Sequence, residues 1–361
     1  LEQQYENQKK EAEIMALNKD KEIADKELSR KELMINSSLI GIVLVLILAI
    51  TIFYNLVQNK KKNRIITEQK VQVEEKNQEI MDSITYAKRI QNAILPPSAL
   101  IKEHLPNSFI LYKPKDIVAG DFYWLEVATS DENQVPSEDH VPRSSSPASV
   151  LIAAADCTGH GVPGAMVSVV CNNGLNRSVR EFGLTDPGEI LDKTRELVIQ
   201  EFEKSEDDVK DGMDIALISL VQEQGERGSL APLDSYRDSC SKLLYAGAHN
   251  PLWIIRQGAQ EVQEIKANKQ PIGNFVNPEP YDTHEVKLEK GDLIYIFSDG
   301  YADQFGGEKG KKMKASNFKK LLVSISNESM FKQKELLEDA FNTWKGDLEQ
   351  LDDVCVIGIR V

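Results

Sequence analysis

Several aspartates stand where an apolar run meets a glycine-marked turn. Asp121 sits in Ile117-Val118-Ala119-Gly120-Asp121-Phe122-Tyr123, and Asp156 closes Val150-Leu151-Ile152-Ala153-Ala154-Ala155 before Cys157-Thr158-Gly159-His160-Gly161. Asp299 closes Leu293-Ile294-Tyr295-Ile296-Phe297-Ser298 before Gly300, and the pair Asp352-Asp353 precedes Val354-Cys355-Val356-Ile357-Gly358-Ile359. Taken singly, each Asp-Gly is an ordinary turn. Taken together, strand ends can bring distant carboxylates to one edge. There each like-charge pair at 4 Å costs on the order of 4 kcal/mol at an effective dielectric of about 20. Cations neutralise such a cluster. An all-oxygen donor set with no convergent Cys or His selects magnesium or manganese over zinc. Two such ions acidify a water and clamp a phosphoryl group for in-line displacement.

Other residues near these turns have two readings each. His160 is either a proton donor to a leaving oxygen or a turn residue in a glycine-rich loop. The segment Asp211-Gly212-Met213-Asp214 is either a surface turn or, through Asp211 and Asp214, the seat of a third, loosely held ion. Cys157 and Cys355 flank ligand positions and read as small buried hydrophobes. No arginine clamp for a phosphate stands out; Arg89 and Arg177 are the candidates.

The elements that would carry these residues are mixed. Strand patterns fall at 109–112, 121–127, 150–155, 215–221, 243–246, 252–256, 292–298 and 354–361, and helical patterns at 164–180, 187–203 and 332–344. Polar stretches at 129–149 and 222–241 read as loops. Upstream, Leu39–Val57 is a run of 19 residues without a charge, about 28 Å long as a helix at about 1.5 Å per residue. It predicts a transmembrane helix over 37–59. Lys60, Lys61, Lys62 and Arg64 follow it directly and favour a cytoplasmic C-terminal side, although Lys26, Arg30 and Lys31 weaken the bias. Ile66, Val73, Ile80, Ala87 and Ile94 recur every seven residues, which predicts a coiled-coil linker over 60–95 that ends at Pro96-Pro97. Ile14, Leu17, Ala24, Leu28 and Ile35 give a weaker seam, so 1–36 reads as a helical segment at the end of a larger upstream region. A homodimer through the coil is the partner reading; a solvated single helix is the alternative.

Composition sets outer limits. The chain has 361 residues, 41% of them hydrophobic and 28% charged, which excludes wholesale disorder. Forty-three basic against 57 acidic residues give a net charge of −14, which argues against nucleic-acid binding. Four cysteines without CxxC spacing argue against a disulfide framework or structural zinc and fit a reducing compartment.

The ordered set Ala-Gly-Asp-Phe-Tyr (119–123), Ala-Asp-Cys-Thr-Gly-His-Gly-Val-Pro (155–163), Ala-Gly-Ala-His-Asn-Pro (246–251), Phe-Ser-Asp-Gly-Tyr-Ala-Asp (297–303) and Asp-Asp-Val (352–354) resembles the SpoIIE-like branch of the protein phosphatase 2C superfamily, metal-dependent serine/threonine phosphatases. The resemblance runs from about Ile94 to Val361, and Ser83–Gln91 resembles the regulatory helix that leads into such domains. It implies an α+β fold over 96–361, two antiparallel β-sheets sandwiched between helices. It implies two divalent cations, Mn2+ or Mg2+, held by Asp121, Asp156, the Cys157 backbone carbonyl, Asp299 and Asp352, with Asp353 ranked second in its pair. Attack by a metal-activated water, with no phosphoenzyme, follows. His249 in Ala-Gly-Ala-His-Asn-Pro departs slightly from the family pattern and reads as a site-shaping residue or a structural hydrogen-bonding one.

The reading is therefore a single-pass protein of the cytoplasmic membrane, its phosphatase domain in the cytoplasm, switched through its coil. It would act on phosphoserine or phosphothreonine of a partner protein, with an anti-sigma-factor antagonist as the family's suggestion. Two other readings stand beside it. A sensor histidine kinase needs a phospho-accepting histidine, and the coil from Ile65 to Leu95 contains none. A catalytically inactive pseudophosphatase scaffold would have no use for four carboxylates at strand ends.

Overall fold

The computed structural model of the chain describes residues 2–128, 149–204, 211–221 and 242–361. The stretches read above as loops fall outside these residues, except Ser149, which opens a strand. The chain divides into two units, Leu1–Ile80 and Met81–Val361.

The first unit is helical. Helix α1 spans Glu2–Ile94, and its part up to Ile80 forms this unit. Its apolar run leaves side chains such as Leu44 (61%) and Phe53 (69%) exposed, in a window of mean hydropathy 2.7 with none of it buried. Each Leu or Ile left this way forgoes about 1.5–3 kcal/mol of burial.

The second unit begins with the last turns of α1. Leu95 and Pro96 stop that helix, and α2 (Ser98–His104) follows. Then come β1 (Ser108–Lys113), β2 (Phe122–Ala128), β3 (Ser149–Cys157), α3 (Gly161–Arg180), α4 (Pro187–Phe202), β4 (Met213–Val221), β5 (Lys242–Ala248), β6 (Leu252–Ile255), β7 (Gln263–Ile265) and β8 (His284–Lys287). The chain ends with β9 (Leu293–Phe297), α5 (Gly300–Asp303), β10 (Phe305–Gly306), β11 (Lys311–Lys312), α6 (Lys314–Ser324), α7 (Met330–Lys345) and β12 (Val354–Arg360). All eight strand patterns of the sequence are strands here. Helices α2, α5 and α6 and the short strands β7, β8, β10 and β11 were not expected from it.

Two antiparallel five-stranded sheets carry the unit, in the orders β1-β12-β9-β6-β7 and β2-β3-β4-β5-β8. Alternation along β3 shows how they pack. Val150, Ile152 and Ala154 face the other sheet, meeting Ile254, Ile294, Ile296 and Ile357. Leu151, Ala153 and Ala155 face α3 and α4, among Val167, Leu175 and Ile190. On the other side, Trp253, Tyr295 and Phe297 pack on Phe318 of α6 and Phe341 of α7. A sheet covered on both faces needs apolar residues at every position, which is why β3 and β9 read as unbroken hydrophobic runs. Local signals fix the helix starts. Pro187 opens α4, whose N-cap Asp186 accepts from the Gly188 amide at 2.9 Å, and Ser329 caps α7, accepting from the Lys332 amide at 3.3 Å. Such caps contribute about 1 kcal/mol each.

Candidate active site

Antiparallel pairing brings the start of β2, the end of β3 and the start of β4 to one edge. Phe122 pairs with Ala155, and Asp156 pairs with Asp214. In the opposite sheet Phe297 pairs with Val356, so the end of β9 and the start of β12 also lie side by side. Five acids from five segments, Asp121, Asp156, Asp214, Asp299 and Asp352, thereby collect at one end of the sandwich, where each of them feels or exerts the charge of another.

Each is held by neighbours of its own. Asp121 is buried, its Oδ2 accepts from the Ser298 hydroxyl at 2.5 Å, and its backbone carbonyl accepts from Tyr112 OH at 2.9 Å. Ser298 in turn accepts from the Cys355 amide at 3.0 Å, tying β9, β12 and the Asp121 turn together. Asp353 is also buried, but both of its oxygens are taken by backbone donors, the Lys115 amide at 2.7 Å and the Gly120 amide at 2.6 Å. It holds the strap that delivers Asp121, and Asp352 Oδ1 accepts the Asp353 amide at 2.8 Å. Glycine is needed at two seams. A Cβ at Gly120 would overlap the Gly159 carbonyl oxygen, and one at Gly300 would overlap the Asp353 carbonyl oxygen. Backbone meets backbone at both, so the aspartate-bearing turns pack directly on one another.

The electrostatics follow from crowding. Burial, then the charge of Asp156, pushes the Asp121 carboxyl well above the usual carboxylate range, against the Ser298 hydrogen bond. Asp156 is pushed up to about 8, by burial first and then by Asp299, Asp352 and Asp214. Asp299, exposed on its outer side, is pushed up to about 6 by burial and by Asp303 and Asp352. Burial also raises Asp353, while backbone donors at Lys115, Gly120 and Asp121 pull it down.

This donor set fits hard divalent cations. It is all oxygen, its negative charge exceeds its hydrogen-bond donors, and the carbonyl of Cys157 lies in the same turn as Asp156. Among the described residues, no three His, Cys, Asp or Glu side chains already enclose a common point. Carboxylates without a counter-charge repel one another, and magnesium and manganese sites complete their shells with water and substrate oxygens.

The other candidates are placed as follows. His160 Nδ1 lies 3.0 Å from Asp116 Oδ2, with both side chains about half exposed. His249 Nδ1 lies 2.8 Å from Asp214 Oδ1. Asp211 stands in the turn before β4, and it is Asp214 of that segment whose charge reaches Asp156 and Asp299. Arg177 pairs with Glu181 at 3.0 Å in the last turns of α3, and Arg89 is exposed on α1. Cys157 and Cys355 are buried within the apolar clusters, as free thiols pushed up by burial.

One residue was not singled out from the sequence. Gln91, in the last turns of α1, is buried. Its Nε2 donates to the Ala119 carbonyl at 2.5 Å and to Ser168 Oγ at 3.1 Å, and its Oε1 accepts from the Ala119 amide at 3.1 Å. It thus joins α1 to the strap before Asp121 and to α3, which follows the Asp156 turn. Ile84, Ala87 and Ile94 are half-buried on the same helix, whereas Ile80 and Ile90 remain exposed. A polar residue four positions after Ala87, within an apolar helix face, was the available signal.

A family profile described as Stage II sporulation protein E (SpoIIE) matches residues 146–361, which include Asp156, Asp299 and Asp352. The chain belongs to the SpoIIE family. The SiaA-PP2C domain of Pseudomonas aeruginosa is 29% identical, with a TM-score of 0.61 over 79% of this chain and 98% of that one. The PP2C phosphatase domain of SpoIIE from Bacillus subtilis, with a fragment of its regulatory domain, is 16% identical, with a TM-score of 0.49 over 70% of this chain and 62% of that one. Curated protein sequences give no match. The sandwich is a PP2C-type serine/threonine phosphatase domain, and the chain is a protein phosphatase.

Proposed function

We propose that this member of the family is a membrane-anchored, metal-dependent phosphatase that hydrolyses phosphoserine or phosphothreonine on a partner protein. The gathering of acids from five segments around Asp156 carries this reading. Asp121, Asp156, Asp299, Asp352 and the Cys157 carbonyl would hold two divalent cations, Mn2+ or Mg2+. When bound, these supply an acidified water and a clamp for the phosphoryl oxygens. The chain's own part is positional. Ser298 fixes the Asp121 carboxylate, Asp353 fixes the Gly120 backbone, and the glycine seams keep the turns in register.

Residues 37–59 would cross the cytoplasmic membrane, with the phosphatase domain on the cytoplasmic side. Residues 60–95 would form a dimeric coil. A turn or tightening of that coil would reach the site through Gln91, a two-state element of the kind signalling proteins use. The substrate class the family suggests is a phosphorylated anti-sigma-factor antagonist.

The decisive assay is phosphate release from a phosphothreonine peptide by the full chain in detergent, with Mn2+ and with chelator. We expect release only with the ion. Release that ignores chelation would remove the metal reading, and no release under either condition would remove the enzyme reading. Alkaline carbonate washing should leave the chain in the membrane fraction; its appearance in the wash would remove the anchor. A cysteine at Val73 should give a disulfide-linked dimer in membranes, and a monomer under oxidation would count against the coil.

A further inference from the structure

Two aspartate–histidine pairs border the acidic cluster, and one of them is built into it. Asp214 is the cross-strand partner of Asp156, and its charge reaches both Asp156 and Asp299. His249 lies 35 residues away in sequence and meets Asp214 Oδ1 through Nδ1 at 2.8 Å. With Nδ1 so engaged, Nε2 is the free end of the ring. The side chain is 41% exposed and so is open to solvent.

The backbone that presents His249 is unusual. Its φ of 55° is left-handed, a region that costs a residue with a Cβ about 1–2 kcal/mol. The turn enforces it. The His249 amide donates to the Asn268 carbonyl at 2.9 Å, the Asn268 amide donates to the Gly247 carbonyl at 3.0 Å, and Tyr245 OH donates to the Asn250 carbonyl at 2.7 Å. A strained residue kept in place by its surroundings, with its ring oriented by a carboxylate, is characteristic of a functional position. The same carboxylate–imidazole arrangement elsewhere fixes a tautomer and directs Nε2 at a reacting group.

We infer that His249 is the general acid of this phosphatase, donating from Nε2 to the seryl or threonyl oxygen as it leaves, and that Asp214 is its positioning residue. The inference rests on the phosphatase reading above. In the step, the oxygen of water bonds to phosphorus and the bond from phosphorus to the side-chain oxygen breaks. The imidazolium proton passes to that oxygen, leaving a serine or threonine hydroxyl. The proton released as water becomes part of inorganic phosphate restores the imidazolium. His160 is the competing donor; its partner Asp116 lies in the strap before Asp121, whereas Asp214 pairs in register with Asp156 itself.

The test compares leaving groups on the full chain in detergent with Mn2+. An alkoxide needs a proton to depart, while the nitrophenolate of p-nitrophenyl phosphate does not. His249→Asn keeps a residue that tolerates the left-handed backbone. It should lower kcat on a phosphothreonine peptide about 100-fold, with KM within about twofold, and its loss on p-nitrophenyl phosphate should be at least about tenfold smaller. Asp214→Asn, which alters the ring's orientation without removing it, should show the same selectivity with a smaller loss. Equal losses on the two substrates, no loss, or selectivity in His160→Gln and not in His249→Asn would overturn the assignment. A wild-type chain inactive on both substrates would instead sink the phosphatase reading, and this one with it.

Discussion

Strand β9 has an aspartate at each end, and the two have opposite surroundings. Asp292 is buried with a cation and donors of its own. Arg256 Nη1 donates to it at 2.5 Å, the Glu289 amide at 2.9 Å and the Gln257 amide at 3.2 Å. Asp299, past the other end of the strand, faces Asp156, Asp303 and Asp352. The same residue type, beside the same apolar run, is a structural clasp in one place and part of an acidic cluster in the other. What separates them is whether donors match the charge. A buried carboxylate with its donors stabilises the fold, whereas carboxylates in excess of donors are held ready for something that brings positive charge.

That contrast can be broken from either side. The largest effect should come from Asp156→Asn, which should lower kcat on a phosphothreonine peptide by about 10²–10³-fold while leaving the metal-free melting temperature above about pH 8 unchanged or raised, since there it removes a repelled charge. An active variant would take Asp156 out of the site. Asp292→Asn should do the reverse, costing about 2–3 kcal/mol of stability in denaturant unfolding with kcat intact, because it unpairs Arg256. Equal stability effects at both ends would erase the distinction between them.

A smaller effect tests the link from α1. Gln91→Ala leaves the Ala119 amide and carbonyl without partners and should cost about 1–3 kcal/mol. If α1 holds the Asp121 strap in place, the Mn2+ concentration for half-maximal activity should also rise. Loss of stability with unchanged metal dependence would make Gln91 a packing residue only.

The smallest and most specific effect is on pH. Asp156 in the folded, metal-free domain takes up its proton at about 8, above the value near 4 of an unfolded chain. Its favourable contribution to stability is therefore complete below about pH 4 and is lost as the pH rises through about 8. Added Mn2+ takes over from that proton, so the gain in melting temperature on adding Mn2+ should be larger at about pH 8 than at about pH 5. A gain that shrinks with rising pH would contradict the electrostatic account.

The carboxylates were legible in the sequence because each abuts an apolar strand that announces its own end. Asp121, Asp156, Asp299 and Asp352 need only the rule that strand ends converge, and the eight strand patterns supplied the strands. Pairings across long separations were not legible. Asp214 meets His249, and Gln91 meets Ala119 and Ser168, through register and helix docking that no local pattern encodes. Asp353 and Asp352 look alike as neighbours. Only the path of the 115–120 strap gives Asp353 two backbone donors. Helix α6 escaped because the polar and glycine-rich 303–313 stretch masked its start.

The most direct measurement is anomalous diffraction from crystals of the chain grown or soaked with Mn2+. The account predicts manganese peaks among Asp121, Asp156, Asp299 and Asp352 and none at Asp292. Peaks confined to other surfaces, or those four carboxylates free of manganese at saturating ion, would contradict it.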